Sequence, residues 1–271
     1  MTALQLEVLV AEDHPVNREV LAALLESMGH RALFVPNGDD AVAAVQRQRF
    51  DLVLMDLHMP GLDGIEATRQ IRNLADRAAA TVPIVALTAD AFTDTRERCL
   101  IAGMNSFLSK PVSREKLGAL MRQLFGSGAG IEPEVLGHAA STRPELNDPD
   151  AVPLIDSAAV ARTLQVLTAQ QYASMLAMYL DQAPATVDRL RKAVRDAQPQ
   201  ELGVHAHASR GAALNLGLSA LAATAEVLQN GAAHLPAHEV ARLVQRFDDL
   251  LTSTRVAAEQ AGLLNSAVGV R

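Results

Sequence analysis

The stretch "DLVLMDLHMPGLDG", residues 51–64, joins an apolar run to an acidic residue and then to a turn rich in glycine and proline. An apolar run without polar alternation is typical of a strand that is buried on both faces of a sheet. Proline and glycine directly after the run indicate a turn, and "GIEATRQIRN" (64–73) then has helical spacing. The stretch therefore predicts a buried strand whose carboxyl end reaches Asp56. Functional sites of open parallel α/β sheets lie at this edge of the sheet.

The same strand-then-helix pattern occurs five times in the first 125 residues. The expected strands are "LEVLVA" (6–11), "RALFV" (31–35), "DLVLM" (51–55), "VPIVALT" (82–88) and "NSFLS" (105–109). Continuous apolar strands that alternate with helices indicate a parallel sheet with helices on both faces. The predicted fold of residues 1–125 is an α/β, doubly wound, five-stranded parallel sheet.

The remainder of the chain has a different character. Residues 126–153 contain four prolines and a cluster of glycines, which predicts a flexible linker. From residue 154 to 271 there are no strand signals, and apolar residues recur at three- and four-residue spacing, as in an all-α antiparallel helical bundle. Within this bundle Pro184 is expected to interrupt and kink a long helix.

The overall composition excludes several classes of function. The net charge of −7 argues against a nucleic-acid partner or an anionic membrane surface. The single cysteine, Cys99, excludes an internal disulfide and is typical of a reducing cytoplasm. No apolar run is long enough to span a membrane, and no glycine-rich ATP-binding motif occurs. The chain is therefore not a self-sufficient kinase, and whether it is enzymatic by itself stays open.

Chemistry-bearing residues follow four of the predicted strands. Glu12 and Asp13 end the first, Asp56 the third, Thr88 the fourth and Lys110 the fifth. Because these strand ends meet at one edge of a parallel sheet, three carboxylates would lie close together, and a divalent cation, most naturally Mg²⁺, would relieve their repulsion. With a lysine and a hydroxyl nearby, the cluster predicts phosphoryl transfer with a carboxylate as the nucleophile.

Residues 6–125 resemble the receiver domain of two-component response regulators, which has a flavodoxin-like fold. The acidic pair, "MDLHMPGLDG", "LTA" (87–89) and "SKP" (109–111) occur in the order and at the spacing of that family. The resemblance implies that Asp56 is the phospho-acceptor and that the Lys110–Pro111 bond is cis. The implied supporting residues are Glu12, Asp13, Asp56 and the backbone carbonyl of His58 for magnesium, Thr88 and Lys110 for phosphoryl oxygens, and Phe107 as an aromatic switch. The alternative that Phe107 is only a hydrophobic core residue stays open.

A second motif lies in "HAHASRGAALNLG", residues 205–217. On a helix, His207 shares a face with the residues three and four positions on. These are the cation Arg210 and Gly211, which has no side chain. A phosphoryl group on an imidazole needs a positively charged donor and room for a partner's acidic pocket. We therefore expect His207 to project from the bundle beside Arg210 and Gly211, and His205 to be buried on the other face with Ser209.

Residues 154 to about 262 resemble a histidine phosphotransfer (HPt) domain, a four-helix bundle. The resemblance implies that His207 is the phosphohistidine, supported by Arg210 and Gly211. The chain departs from the family in having Arg210 where lysine is usual and Ser209 where an apolar residue is usual. An arginine keeps the positive charge but carries it on a planar guanidinium group instead of the compact ammonium group of lysine.

Together the two resemblances imply a Mg²⁺-dependent phosphorelay in the cytoplasm. Asp56 would accept a phosphoryl group from a phosphohistidine, and His207 would exchange one with an aspartate of this or another receiver. The implied partners are a histidine kinase core, on the same or a separate chain, and a downstream response regulator, with no nucleic acid and no direct membrane contact. The chain resembles the C-terminal part of a hybrid sensor kinase, or it is free-standing. The alternative is a non-catalytic interaction module whose phosphorylation only shifts a binding surface.

Overall fold

The computed structural model describes residues 5–88, 93–125 and 152–264. The chain divides into two compact units, and each is described by itself. All but the last two residues of the predicted linker lie outside the described residues. The flexibility of that linker and the boundaries of the predicted domains therefore stay predictions.

The first unit is a five-stranded sheet in the order β2-β1-β3-β4-β5, and every neighbouring pair of strands is parallel. The strands are β1 (Glu7–Ala11), β2 (Arg31–Val35), β3 (Leu52–Asp56), β4 (Ile84–Thr88) and β5 (Ser106–Ser109). The helices are α1 (Pro15–Ser27), α2 (Gly38–Arg47), α3 (Gly64–Arg72), α4 (Arg77–Ala80), α5 (Thr93–Ile101) and α6 (Arg114–Phe125). The predicted doubly wound α/β sheet is confirmed.

The burial of the strands explains their apolar sequences. Strands β3 and β4 are buried at every position, and β1 is buried at all but its first residue. Strand β2 lies at the edge, where Leu33 keeps 41% of its surface exposed. Continuous apolar runs are therefore needed at the centre, because helices cover both faces there.

Helix α4 was not predicted from the sequence. It has only four residues, which is about one turn and too short to show a helical period. Its start is set by the Asp76 side chain, which accepts a hydrogen bond of 3.0 Å from the backbone N–H of Ala78.

The second unit is helical throughout its described residues, as predicted. Its helices are α7 (Ser157–Thr163), α8 (Ala169–Arg195), α9 (Pro199–Asn215), α10 (Ser219–Gly231) and α11 (Ala237–Gln260). Thr168 and Gln171 form the predicted capping box at the start of α8. Helix α8 continues through Pro184, so the predicted interruption does not end it. Helix α9 stops before Gly217, whose φ of 71° favours glycine.

Helix α9 packs against both α8 and α10, and this places the predicted phosphohistidine segment between two helices. Two tyrosines of α8 fix the contact with hydrogen bonds. The Tyr172 hydroxyl donates to the carbonyl oxygen of Leu216 at 2.8 Å, and the Tyr179 hydroxyl lies 2.9 Å from the Ser209 hydroxyl. Both tyrosines are buried, so each hydroxyl satisfies a polar group inside an apolar bundle.

Candidate functional site

Three carboxylates meet at the carboxyl edge of the sheet. Glu12 and Asp13 follow β1, and Asp56 is the last residue of the neighbouring strand β3. The register that pairs Ala11 with Met55 brings the two strand ends level. One oxygen from each carboxylate lies within 4.8 Å of the others, so the structure brings together the three acidic residues predicted from sequence.

Lys110 reaches the same cluster from the residue after β5. Its Nζ lies 2.7 Å from Glu12 Oε2 and 2.5 Å from Asp56 Oδ2, and the side chain is buried. Burial alone would lower the pKa of Lys110, but Asp56 and Glu12 outweigh it, and the net pKa is raised. The lysine therefore stays charged and offsets part of the negative charge on the carboxylates.

The two acidic residues after β1 have different surroundings. Glu12 is fully buried, and Oε1 accepts hydrogen bonds from Asn17 Nδ2 at 2.8 Å and from the His14 N–H at 3.3 Å, while Lys110 occupies Oε2. Asp13 has a buried oxygen, Oδ1, without a hydrogen-bond partner among the described residues. Asp13 is therefore the better placed of the two to coordinate a cation directly, whereas Glu12 positions Lys110.

Sequence reasoning missed two residues of α1 that hold this acidic loop. Besides the bond from Asn17 to Glu12, the Arg18 guanidinium donates from one nitrogen to the carbonyl oxygens of Glu12 and Asp13, both at 2.8 Å. Both residues stand in the first turn of α1, which starts at Pro15, two residues after Asp13. That proximity in sequence was the available signal, but their contacts depend on the turn of the backbone between β1 and α1.

The loop after Asp56 is held close to that residue. The His58 N–H donates to Asp56 Oδ1 at 3.2 Å, and a Cβ atom at Gly64 would lie only 2.1 Å from the Asp56 carbonyl oxygen. Because the obstructing atom is backbone, only glycine fits at position 64. The glycine that ends the motif "DLVLMDLHMPGLDG" therefore lets α3 start against the strand that carries Asp56.

The other two predicted receiver residues lie on adjacent strands. Thr88 ends β4 and is buried, and its carbonyl oxygen accepts from the Lys110 N–H at 2.7 Å. Phe107 on β5 is partly buried against the core, and the Arg96 guanidinium lies 4.3 Å from its ring centroid. The switch role of Phe107 and the His58 carbonyl as a ligand stay predictions. The predicted cis bond at Lys110–Pro111 is present.

Proton competition at Asp13 gives a testable pH dependence. Burial, reinforced by the charges of Asp56 and Glu12, raises the pKa of Asp13 from 3.8 to about 7. Since a cation binds the ionised form, the apparent dissociation constant for Mg²⁺ should rise by about tenfold per pH unit below pH 7 and level off above pH 8. Titration calorimetry with MgCl₂ between pH 5.5 and 8.5 measures it.

The control for this dependence is Asp13→Asn, which keeps the side-chain volume but cannot titrate. Its weaker Mg²⁺ affinity should lack the slope below pH 7. The raised pKa of Asp13 also makes the free energy of unfolding depend on pH when no cation is bound. The neutral carboxyl stabilises the fold fully below pH 3.8, and this contribution is lost as the pH rises through about 7. A Mg²⁺ affinity that is constant from pH 5.5 to 8.5 would contradict the proton competition.

In the second unit, His207, Arg210 and Gly211 lie on one face of α9 as predicted. His207 and Arg210 keep only 2% and 8% of their accessible surface, and the projection of His207 from the bundle stays a prediction. Part of the cover comes from α10, whose Gln229 side chain lies 3.3 Å from His207 Nδ1. The contacting atom, Oε1, only accepts hydrogen bonds, so this contact requires Nδ1 to be the donor.

The expected burial of His205 together with Ser209 is wrong. The His205 side chain is 28% exposed, and its Nε2 lies 3.7 Å from a carboxylate oxygen of Glu201, one turn back on the same helix. Ser209 is instead paired with Tyr179 on α8. The four-residue spacing did indicate a shared side of the helix, but a neighbouring helix supplied the hydroxyl's partner.

These two sites agree with the families that the chain matches. The model of the response regulator receiver domain matches residues 8–122, and the model of the Hpt domain matches residues 174–262. The chain therefore carries a receiver domain followed by an Hpt domain, a combination that supports phosphorelay signalling.

Its relatives include sensor proteins. The sensor protein GacS of Pseudomonas syringae pv. syringae is 36% identical over 200 residues, which are 73% of this chain and 21% of the relative. The sensory/regulatory protein RpfC of Xanthomonas campestris pv. campestris is 30% identical over 220 residues, which are 81% of this chain and 29% of the relative. The chain thus spans less than a third of the length of these relatives.

A solved structure, the receiver domain of a sensor histidine kinase from Pseudomonas aeruginosa with magnesium in its active-site cleft, is also similar. It is 46% identical with a TM-score of 0.42, and the match covers 46% of this chain and all of that one.

Across the described ranges of this chain, no helix combines the length and the apolar character needed to cross a membrane.

Proposed function

We propose that Asp56 accepts a phosphoryl group from a phosphohistidine and that His207 exchanges one with an aspartate of this or another receiver. One observation carries the proposal: Asp56 lies between the buried ammonium of Lys110, at 2.5 Å, and the oxygens of two further carboxylates. A purely structural ion pair would not need two more acidic groups at the same point, since their mutual repulsion is unfavourable.

We propose magnesium as the cofactor of the receiver site. Asp13, whose buried Oδ1 has no hydrogen-bond partner among the described residues, and Asp56 would hold the cation. Glu12 would act through water, and the His58 carbonyl would be a further oxygen donor. An all-oxygen donor set with several carboxylates is the type that Mg²⁺ prefers. When bound, the cation would neutralise the carboxylates and the charge on the phosphoryl oxygens.

The residues of the chain would perform the transfer as follows. An oxygen of Asp56 attacks phosphorus, the N–P bond of the donor breaks, and the electron pair returns to the donor imidazole. Lys110 Nζ and the Thr88 hydroxyl donate to the transferred phosphoryl oxygens. For the onward step, the Nε2 lone pair of His207 attacks an aspartyl phosphate, and the P–O bond breaks to restore the carboxylate. Gln229 holds the proton on Nδ1, which leaves Nε2 as the nucleophile.

We propose that the donor is the kinase core of a hybrid sensor kinase, on this or another chain, and that the recipient is a response regulator. The support is that the relatives are sensor proteins of which this chain matches a part. Such a donor takes its phosphoryl group from ATP, so we place the activity in the cytoplasm.

The test is to incubate the full chain with ³²P-labelled acetyl phosphate and MgCl₂, and to divide each time point between acid and alkali. An aspartyl phosphate is lost in alkali, whereas a phosphohistidine is lost in acid. We expect alkali-labile label first and acid-labile label later, on this chain or on an added HPt partner. Label that stays on Asp56 and never reaches a histidine would favour the interaction module instead.

A further inference from the structure

Two polar pairs join the antiparallel helices α9 and α10 in matched register. His207 Nδ1 contacts Gln229 Oε1 at 3.3 Å, and the Arg210 guanidinium contacts a Glu226 carboxylate oxygen at 3.0 Å. Both helices advance by three residues between the pairs, so the pairs lie about one turn apart. The imidazole and the neighbouring cation therefore each have a partner on the same face of α10.

The charged pair differs from an ordinary surface pair in one respect. The Glu226 side chain is 42% exposed, but the Arg210 side chain is only 10% exposed, so the guanidinium is held in place while the carboxylate faces partly outward. Arg210 is also the cation that a phosphoryl group on His207 would require. Glu226 thus binds the one arginine whose charge the proposed reaction would need.

We propose that Glu226 is a positioning residue that competes with the phosphoryl group for Arg210 and so sets the lifetime of phosphohistidine 207. This inference rests on the proposed phosphorylation of His207. A phosphoryl group brings about −1.5 to −2 charges, so it attracts the guanidinium and is repelled by the carboxylate. Glu226 offsets the Arg210 charge before transfer, and its own charge makes the phosphorylated state less stable and easier to discharge.

The experiment compares the wild-type chain with Glu226→Gln after labelling. The amide oxygen of glutamine still accepts a hydrogen bond from Arg210, so the geometry is kept and only the charge is lost. The half-life of the acid-labile phosphate should lengthen about two- to fivefold, since partly exposed ion pairs have coupling energies of that order. The equilibrium of transfer with a receiver aspartate should shift toward the histidine by a similar factor.

The matched control is Asp248→Asn, which removes one charge from another ion pair of this bundle. Asp248 accepts from Arg191 at 2.7 Å between α8 and α11, and its side chain is 36% exposed. This control should leave the half-life unchanged. Glu226→Ala should lengthen the half-life as well if charge is what matters, and circular dichroism checks that each variant stays helical.

Two results would overturn the competition. An unchanged half-life in both Glu226 variants would show that the carboxylate has no influence. A shorter half-life in Glu226→Ala would show that the carboxylate anchors Arg210 for the phosphoryl group instead of competing for it. Failure of the proposed function is a separate result: acid-labile label on a His207→Gln chain would place the phosphohistidine elsewhere.

Discussion

Asp56→Asn should reduce Mg²⁺-dependent labelling of the receiver by acetyl phosphate by about 10³-fold or more, the order expected when a nucleophile is removed. The amide is a poor nucleophile and carries no charge, so Lys110 loses one of its two carboxylate partners. The measurement is the initial rate of alkali-labile ³²P incorporation, with and without EDTA. Chelation should abolish labelling of the wild-type chain, because the clustered carboxylates need a cation before an anionic donor can approach.

The matched control is Asp51→Asn, at the opposite end of the same strand region. Asp51 accepts a hydrogen bond from the Glu7 N–H at an exposed position, and an asparagine oxygen can still accept it. This variant carries the same change of one charge but lies away from the carboxylate cluster, so it should be labelled at the wild-type rate. Labelling of Asp56→Asn at that rate would place the acceptor at another residue.

His207→Gln should eliminate acid-labile phosphate on the second unit, again by about 10³-fold or more, because no other atom on that face of α9 can replace the Nε2 nucleophile. The measurement is acid-labile label after incubation with a phosphorylated receiver. His205→Gln is the matched control, since it makes the same substitution two residues away on the same helix.

The control should keep its label and change the free energy of unfolding by only about 0.5 kcal/mol, as partly exposed residues usually do. Its structural reason is that Ser209 bonds to Tyr179, so removing the His205 imidazole leaves no buried hydroxyl unpaired. If His205→Gln loses the label and His207→Gln keeps it, the active face of the second unit is assigned to the wrong side of α9.

Much of the receiver site follows from the sequence because its chemistry-bearing residues stand directly at the ends of apolar runs. A run such as "LVLM" defines both a buried strand and the position of the residue after it. In a parallel sheet all such residues lie at one edge, so Asp13, Asp56 and Lys110 could be placed together without a structure. The requirement for glycine at position 64 could not be predicted from the sequence. It depends on the backbone geometry, which would place a Cβ atom 2.1 Å from the Asp56 carbonyl oxygen.

The helical unit shows where this reasoning stops. Three- and four-residue spacing determined the helices and the face that His207 shares with Arg210, because both follow from the geometry of one helix. The partners of the polar side chains of α9 come from other helices: Tyr179 on α8 for Ser209, and Gln229 and Glu226 on α10 for the imidazole and the arginine. A helical period indicates which residues share one face of a helix. Only the packing of the helices determines which side chains from other helices contact that face. The hydrogen bonds that fix the imidazole and its cation were therefore decided by the tertiary structure.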